Sequence, residues 1–282
     1  MKVKVYSDTR CRLGEGPLWH PERAELFWFD ILGKRLYARS DAGERHWSFP
    51  EHVSAAGRIN RDALLIASET GLYRFDIGSG ARSLVVPLEA DTPLTRSNDG
   101  RADPWGGFWI GTMGKNAEPQ AGAIYRFFRG ELRKLVSAIT ISNSICFAPD
   151  RSVAYYCDTK VGKIMRQPLN ATDGWPMGEP SVFLGLSETA VFGADGSVVD
   201  SEGALWNAQW GASRVARYAP DGRLLQTVDV PTSQVSCPAF GGPDLRTLYI
   251  TTAADGADGE AAGKTYCTRI ATAGLADPEV LL

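Results

Sequence analysis

Histidine is scarce in this chain of 282 residues, with three in all. Its five cysteines, Cys11, Cys146, Cys157, Cys237 and Cys267, are scattered, odd in number and contain no C-x-x-C pair. A zinc site built from cysteine and histidine therefore has no support. Free thiols in a reducing cytosol are expected instead of a disulfide framework. No run of 18 apolar residues is present, which argues against a transmembrane helix. The start, MKVKVYSDTRCRLGEG, has no apolar core stretch and does not read as a secretory leader. A cytoplasmic location is expected, and the sequon Asn170-Ala171-Thr172 carries no weight there. There is no basic excess, since 30 Lys and Arg face 33 Asp and Glu. Neither nucleic acid nor an anionic membrane is expected as a partner. Neither G-x-S-x-G nor H-E-x-x-H occurs, so serine-hydrolase and zincin chemistry have no foothold. Long 3.6-residue apolar periods are missing too.

What the chain has is a repeat. Hydrophobic residues make up 44%, ample for a core, and 30 glycines and 16 prolines are spread evenly. A polar turn followed by a short aromatic or β-branched run recurs six times. The runs are HPERAELFWFD, NRDALLIAS, DPWGGFWIGT, APDRSVAYYCD, DSEGALWNAQ and GPDLRTLYITT. Most are followed by a second run of the same type, such as KRLYARSD or GAIYRFFRGE. A spacing of about 40–50 residues with several short strands per unit marks a β-propeller. The expected fold is all-β, a six-bladed β-propeller in which residues 1–282 form one domain. The alternating segment VKVYSD at 3–8 is expected to pair into the last blade and close the ring, removing exposed edges. A pair of β-sandwich domains is the competing architecture.

A propeller says little about function by itself, but its channel gathers residues from distant blades. Glu15, Asn143 and Asp195 each lie six residues before the start of a repeated turn, at Pro21, Pro149 and Ser201. The same register implies the same place in three blades. Two carboxylates and an amide are hard oxygen donors, suited to one divalent cation: Ca²⁺, Mg²⁺, Mn²⁺ or, through carboxylate oxygen, Zn²⁺. Asn98 has the same offset from Pro104, and Arg96 lies two residues earlier, on the same face of an extended strand. Read locally, Asp195-Gly196 is a turn pair. Read in register, Asp195 is a ligand and Gly196 leaves room beside the ion. Asp200 and Glu202 read as an exposed blade turn. The run ADGADGE at 254–260 has the composition of a calcium loop without EF-hand spacing, and reads as a flexible loop. Trp105, Trp109, Trp206 and Trp210 read as blade packing, with Trp210 the least settled.

The segments LGEGPLW, RSNDGRADPWGGFWIGTM, ISNSICFAPD, ADGSVVDSEGALW and CPAFGGPDLRTLYITTA resemble the SMP-30/gluconolactonase (regucalcin-like) family, in order and over essentially the whole chain. The resemblance implies a six-bladed propeller with one divalent cation in its channel, held by Glu15, Asn143 and Asp195. It also implies that Arg96 and Asn98 contact a sugar lactone. Three departures stand out: Ser144 replaces the family's glycine after the ligand asparagine, Ala194 replaces a proline, and Asn116 stands near a substrate-contacting glutamate's place.

The expected activity is opening of an aldono-1,4- or 1,5-lactone to the aldonic acid. Asp195 is the expected general base, with Asp99 the alternative. Other readings are a promiscuous metal-dependent esterase or organophosphate hydrolase, a calcium-binding regulator without turnover, and a protein-interaction propeller. The last would not need two acids and an amide in register. Loops near 113–122 and 254–263 are expected to set substrate choice.

Overall fold

The computed structural model describes residues 2–186 and 191–282. Among them are twenty-four strands and no helix, in six four-stranded antiparallel sheets. The innermost strands of blades 1 to 6 are Gly14–His20, Val53–Asn60, Thr95–Ala102, Ser142–Phe147, Gly193–Val199 and Val235–Gly241. In blades 1 to 5 each sheet is built in chain order from the inside out. Blade 6 takes three strands from the end of the chain and its outermost strand, Lys4–Ser7, from the beginning. Lys4 pairs with Cys267 and Val5 with Tyr266. The N-terminal strand thus closes the ring, as expected from its alternating pattern.

The aromatic runs found in the sequence are the second strands of the blades, and both of their faces are buried. In Glu25–Asp30, Phe27 and Phe29 pack against Leu64 and Ile66 of blade 2. Leu26 and Trp28, one residue out of phase, pack against Tyr249 and Cys267 of blade 6. The other junctions repeat this arrangement: Leu65 meets Phe108, Trp109 meets Tyr156, Tyr155 meets Leu205, and Trp206 meets Leu248. Side chains alternate across a strand, so a strand pressed between two neighbours needs an unbroken apolar run. The core is therefore six interfaces between blades instead of one central mass, and the channel is left to the polar inner strands.

Every inner strand carries a register shift at the same level. The shifts fall between Glu15 and Leu18, Val53 and Ala55, Ser97 and Gly100, Asn143 and Cys146, Ala194 and Ser197, and Val235 and Cys237. Bulges re-aim side chains and break the ladder locally. Asp195-Gly196 lies within one of these bulges, inside a strand and not at a hairpin tip.

Two local expectations are corrected. Asp200 is fully buried. Its carboxylate accepts Trp206 Nε1 at 2.8 Å, Arg217 Nε at 2.8 Å and the main-chain N–H groups of Glu202 and Ala204. It is the knot of its blade turn, and of the two acids there only Glu202 is exposed. Gly196 leaves room for a protein side chain: a Cβ there would lie 2.4 Å from Cys237 Sγ of blade 6. The C-terminal tail crosses the far ends of the inner strands, with Asp277 on Arg101, Glu279 on Arg58 and Leu281 N–H on Gly106 O.

Candidate active site

Glu15, Arg96, Asn98, Asn143 and Asp195 line one cavity of about 720 Å³ at one end of the channel. They come from blades 1, 3, 4 and 5 and are all buried. Met113, Ile141, Phe192 and Trp210 form its apolar walls, and Thr159 and Lys160 complete them. A smaller cavity of about 270 Å³ lies under the C-terminal tail. Its Arg101 and Asp277 are already paired at 2.9 Å.

The polar set is cross-braced. Arg96 Nη1 donates to Asn98 Oδ1 at 2.7 Å and to Ser97 O at 2.9 Å. Asn98 Nδ2 donates to Asn143 Oδ1 at 3.1 Å and to Ser142 O at 2.8 Å. Asn98 thus lines the cavity with its amide engaged on both sides. Glu15 accepts the Gly16 N–H at 3.0 Å. Asp99 does not line the cavity; its carboxylate accepts the Ile145 N–H at 2.7 Å from beneath.

Electrically the site is short of positive charge. Burial, then the charge of Asp99, pushes the Glu15 carboxyl up to about 8. Burial, then Glu15 and Asp99, pushes Asp195 well above the usual carboxylate range. Asp99 is also raised, by burial. The one guanidinium at the cavity, Arg96, is lowered to about 10 by burial, and its Nε has no partner among the described residues. No group of three His, Cys, Asp or Glu able to hold a metal occurs among the described residues, so a cation site here depends on the Asn143 amide. Two buried carboxylates and an amide oxygen fit a hard divalent cation, which would supply the missing charge.

Several contributors escaped the sequence reading. Ser144 sits at φ +61°, in the left-handed region, and its hydroxyl donates to Asp195 O at 2.6 Å. Ser197 Oγ and Asn207 Nδ2 reach the same hydroxyl at 3.1 and 3.3 Å. The remaining two positions of the register are Ser54 and Ser236. They tie neighbouring blades, through Ser97 Oγ at 2.8 Å and Gly14 O at 2.5 Å. Their offset from the following turn was the available signal. Of the two loops expected to set substrate choice, 113–122 contributes Met113 to the cavity wall and 254–263 contributes nothing, while the segment 191–193 also lines it. Asn116 and Glu118 bond to each other outside it. Trp109 and Trp206 are fully buried, whereas Trp210 is half-buried at the cavity wall.

These features define a six-bladed propeller with an acidic, oxygen-donor pocket at one end of its channel. The chain belongs to the SMP-30/gluconolactonase/LRE-like family, whose model matches residues 13–254. It is 39% identical to L-arabinolactonase of Azospirillum brasilense, over 98% of this chain and 94% of that one. It is 35% identical to 6-deoxy-6-sulfogluconolactonase of Pseudomonas putida, over 94% of each. A solved structure described as a calcium-binding protein, regucalcin, from Agrobacterium tumefaciens superposes with a TM-score of 0.96. That chain is 40% identical, with 100% of this chain and 98% of that one covered.

Proposed function

We propose that the chain is a sugar lactonase that opens an aldono-1,4- or 1,5-lactone to the aldonic acid, with one divalent cation held by Glu15, Asn143 and Asp195. The observation that carries this reading is that two buried carboxylates, one amide and one guanidinium line a single cavity. The lactonase relatives at 35–39% identity support the reaction class. A bound cation supplies Lewis acidity to the lactone carbonyl and makes a water more acidic.

The chain's own groups do the rest. Met113, Ile141, Phe192 and Trp210 exclude bulk water and give the sugar ring an apolar flank. Arg96 is held by Ser97 O and Asn98 and directs its remaining donors to the ring oxygen or hydroxyls. Asp195 accepts a proton from the attacking water. The bond between carbonyl carbon and ring oxygen breaks, and the proton returns to that oxygen as the hydroxy acid forms. The buried thiols fit a reducing compartment, and we place the enzyme in the cytoplasm.

A panel of aldonolactones, assayed after chelation and after return of Ca²⁺, Zn²⁺, Mn²⁺ or Mg²⁺, tests the reading. Asp195→Ala is expected to abolish hydrolysis while the protein stays folded; undiminished turnover in that variant overturns it. A protein that binds Ca²⁺ yet is silent on every lactone would instead be a calcium-binding regulator, in keeping with the regucalcin likeness.

A further inference from the structure

The hydrogen bonds around Asn143 form one directed chain across three blades. Arg96 Nη1 donates to Asn98 Oδ1, Asn98 Nδ2 to Asn143 Oδ1, Asn143 Nδ2 to Thr159 Oγ1 at 2.9 Å, and Thr159 Oγ1 to Ala194 O at 2.7 Å. Its direction is determined at both ends. A guanidinium has no acceptor, and a main-chain carbonyl has no proton to give. Turning the Asn143 amide over would set its NH₂ against that of Asn98. Its oxygen would then call on the Thr159 proton, which would have to leave Ala194 O. The chain therefore keeps the amide oxygen of Asn143 on the Asn98 side, with a second lone pair free for a cation, and its nitrogen turned away.

Thr159 is the member that joins two ligands. It follows the second strand of blade 4, and it holds Asn143 of its own blade and the carbonyl immediately before Asp195 of blade 5. The close approach requires Gly193, where a Cβ would lie 2.6 Å from Thr159 Cγ2. A hydroxyl is the group suited to this place, because it accepts from one side and donates to the other.

We propose that Thr159 is a positioning residue for the cation site. Its hydroxyl aligns Asn143 and Asp195 across the junction between blades 4 and 5, and so sets the affinity for the divalent ion. The proposal rests on the assignment of Glu15, Asn143 and Asp195 as ligands. The test is calorimetric titration of chelator-treated full-length protein with Mn²⁺ and with Ca²⁺, beside the melting temperature of the metal-free protein. Thr159→Val, similar in shape but without the hydroxyl, is expected to bind about tenfold more weakly. Thr159→Ser should stay within about threefold of the parent, and Thr159→Ala, which also lacks the hydroxyl and should lose about tenfold as well, takes the place of the valine variant if valine does not fold. Parent-like affinity in the variants lacking the hydroxyl overturns the proposal, as does a serine variant as weak as valine. A parent protein that takes up neither ion overturns the ligand assignment itself, a different and separable result.

Discussion

Ser144 stands where the family resemblance implies a glycine, and its conformation explains why the exchange should be nearly balanced. At φ +61° a residue with a Cβ carries about 1 kcal/mol of strain that glycine escapes. Against this, its hydroxyl donates to Asp195 O at 2.6 Å in a fully buried setting, a bond worth about 1 kcal/mol net. Its loss would leave none of its partners without a hydrogen bond, because Asn207 Nδ2 also donates to Asp195 O at 3.0 Å and to Ser197 Oγ at 3.0 Å. Ser144→Gly loses the bond and the strain together, so its stability should be nearly unchanged. Ser144→Ala loses the bond and keeps the strain, and should be destabilised by about 1–1.5 kcal/mol. For a chain of this size that is about 2–4 °C in melting temperature. The assay is calorimetric or dye-monitored melting of the metal-free protein. Equal losses in the two variants would refute the strain argument. An alanine variant as stable as the parent would refute the worth of the hydroxyl.

Other consequences can be checked as simply. Asp103 and Arg126 form a fully buried pair at 2.6 Å, so Asp103→Ala should cost about 3–5 kcal/mol by stranding the guanidinium, measured by urea unfolding. Gly196→Ala should cost about 1–3 kcal/mol through overpacking against Cys237, and Cys237→Ala in the same chain should recover part of that loss. Burial would raise the Glu69 carboxyl, but the His52 N–H and the Lys115 ammonium pull it down to about 2. Its contribution to stability is therefore present above its unfolded value near 4.3 and is lost as pH falls toward about 2. The melting-temperature gap between the parent and Glu69→Gln should be widest near neutrality, shrink below about pH 4 and close only as pH falls to about 2; a constant gap would contradict the pairing.

The fold was legible because each second strand is gripped on both sides. Phe27 and Phe29 face one neighbour while Leu26 and Trp28 face the other, so the run has to be unbroken and stands out once per blade. The cavity residues were legible for a related reason. Glu15, Asn98, Asn143 and Asp195 lie at one level because all six inner strands bulge at one distance from the turn that follows. Burial was harder to read. Asp150 and Asp200 both sit in Asp-containing blade turns, yet Asp150 is exposed and Asp200 has no exposure at all. The difference lies in Trp206 and Arg217, whose reach to Asp200 is not written next to it.

By itself, then, the order of residues determined the number of blades, the closure by the first strand, and the four polar positions that meet at the channel cavity. These follow from local periodicity and from a distance along the chain that repeats. Tertiary structure alone decided what surrounds them. It placed Cys237 against Gly196, Ser144 on the Asp195 carbonyl, Thr159 between Asn143 and Ala194, and Phe192 and Trp210 on the cavity wall. Each of these contacts except the wall joins two different blades. Such contacts depend on how neighbouring sheets are packed against each other, which no local spacing records.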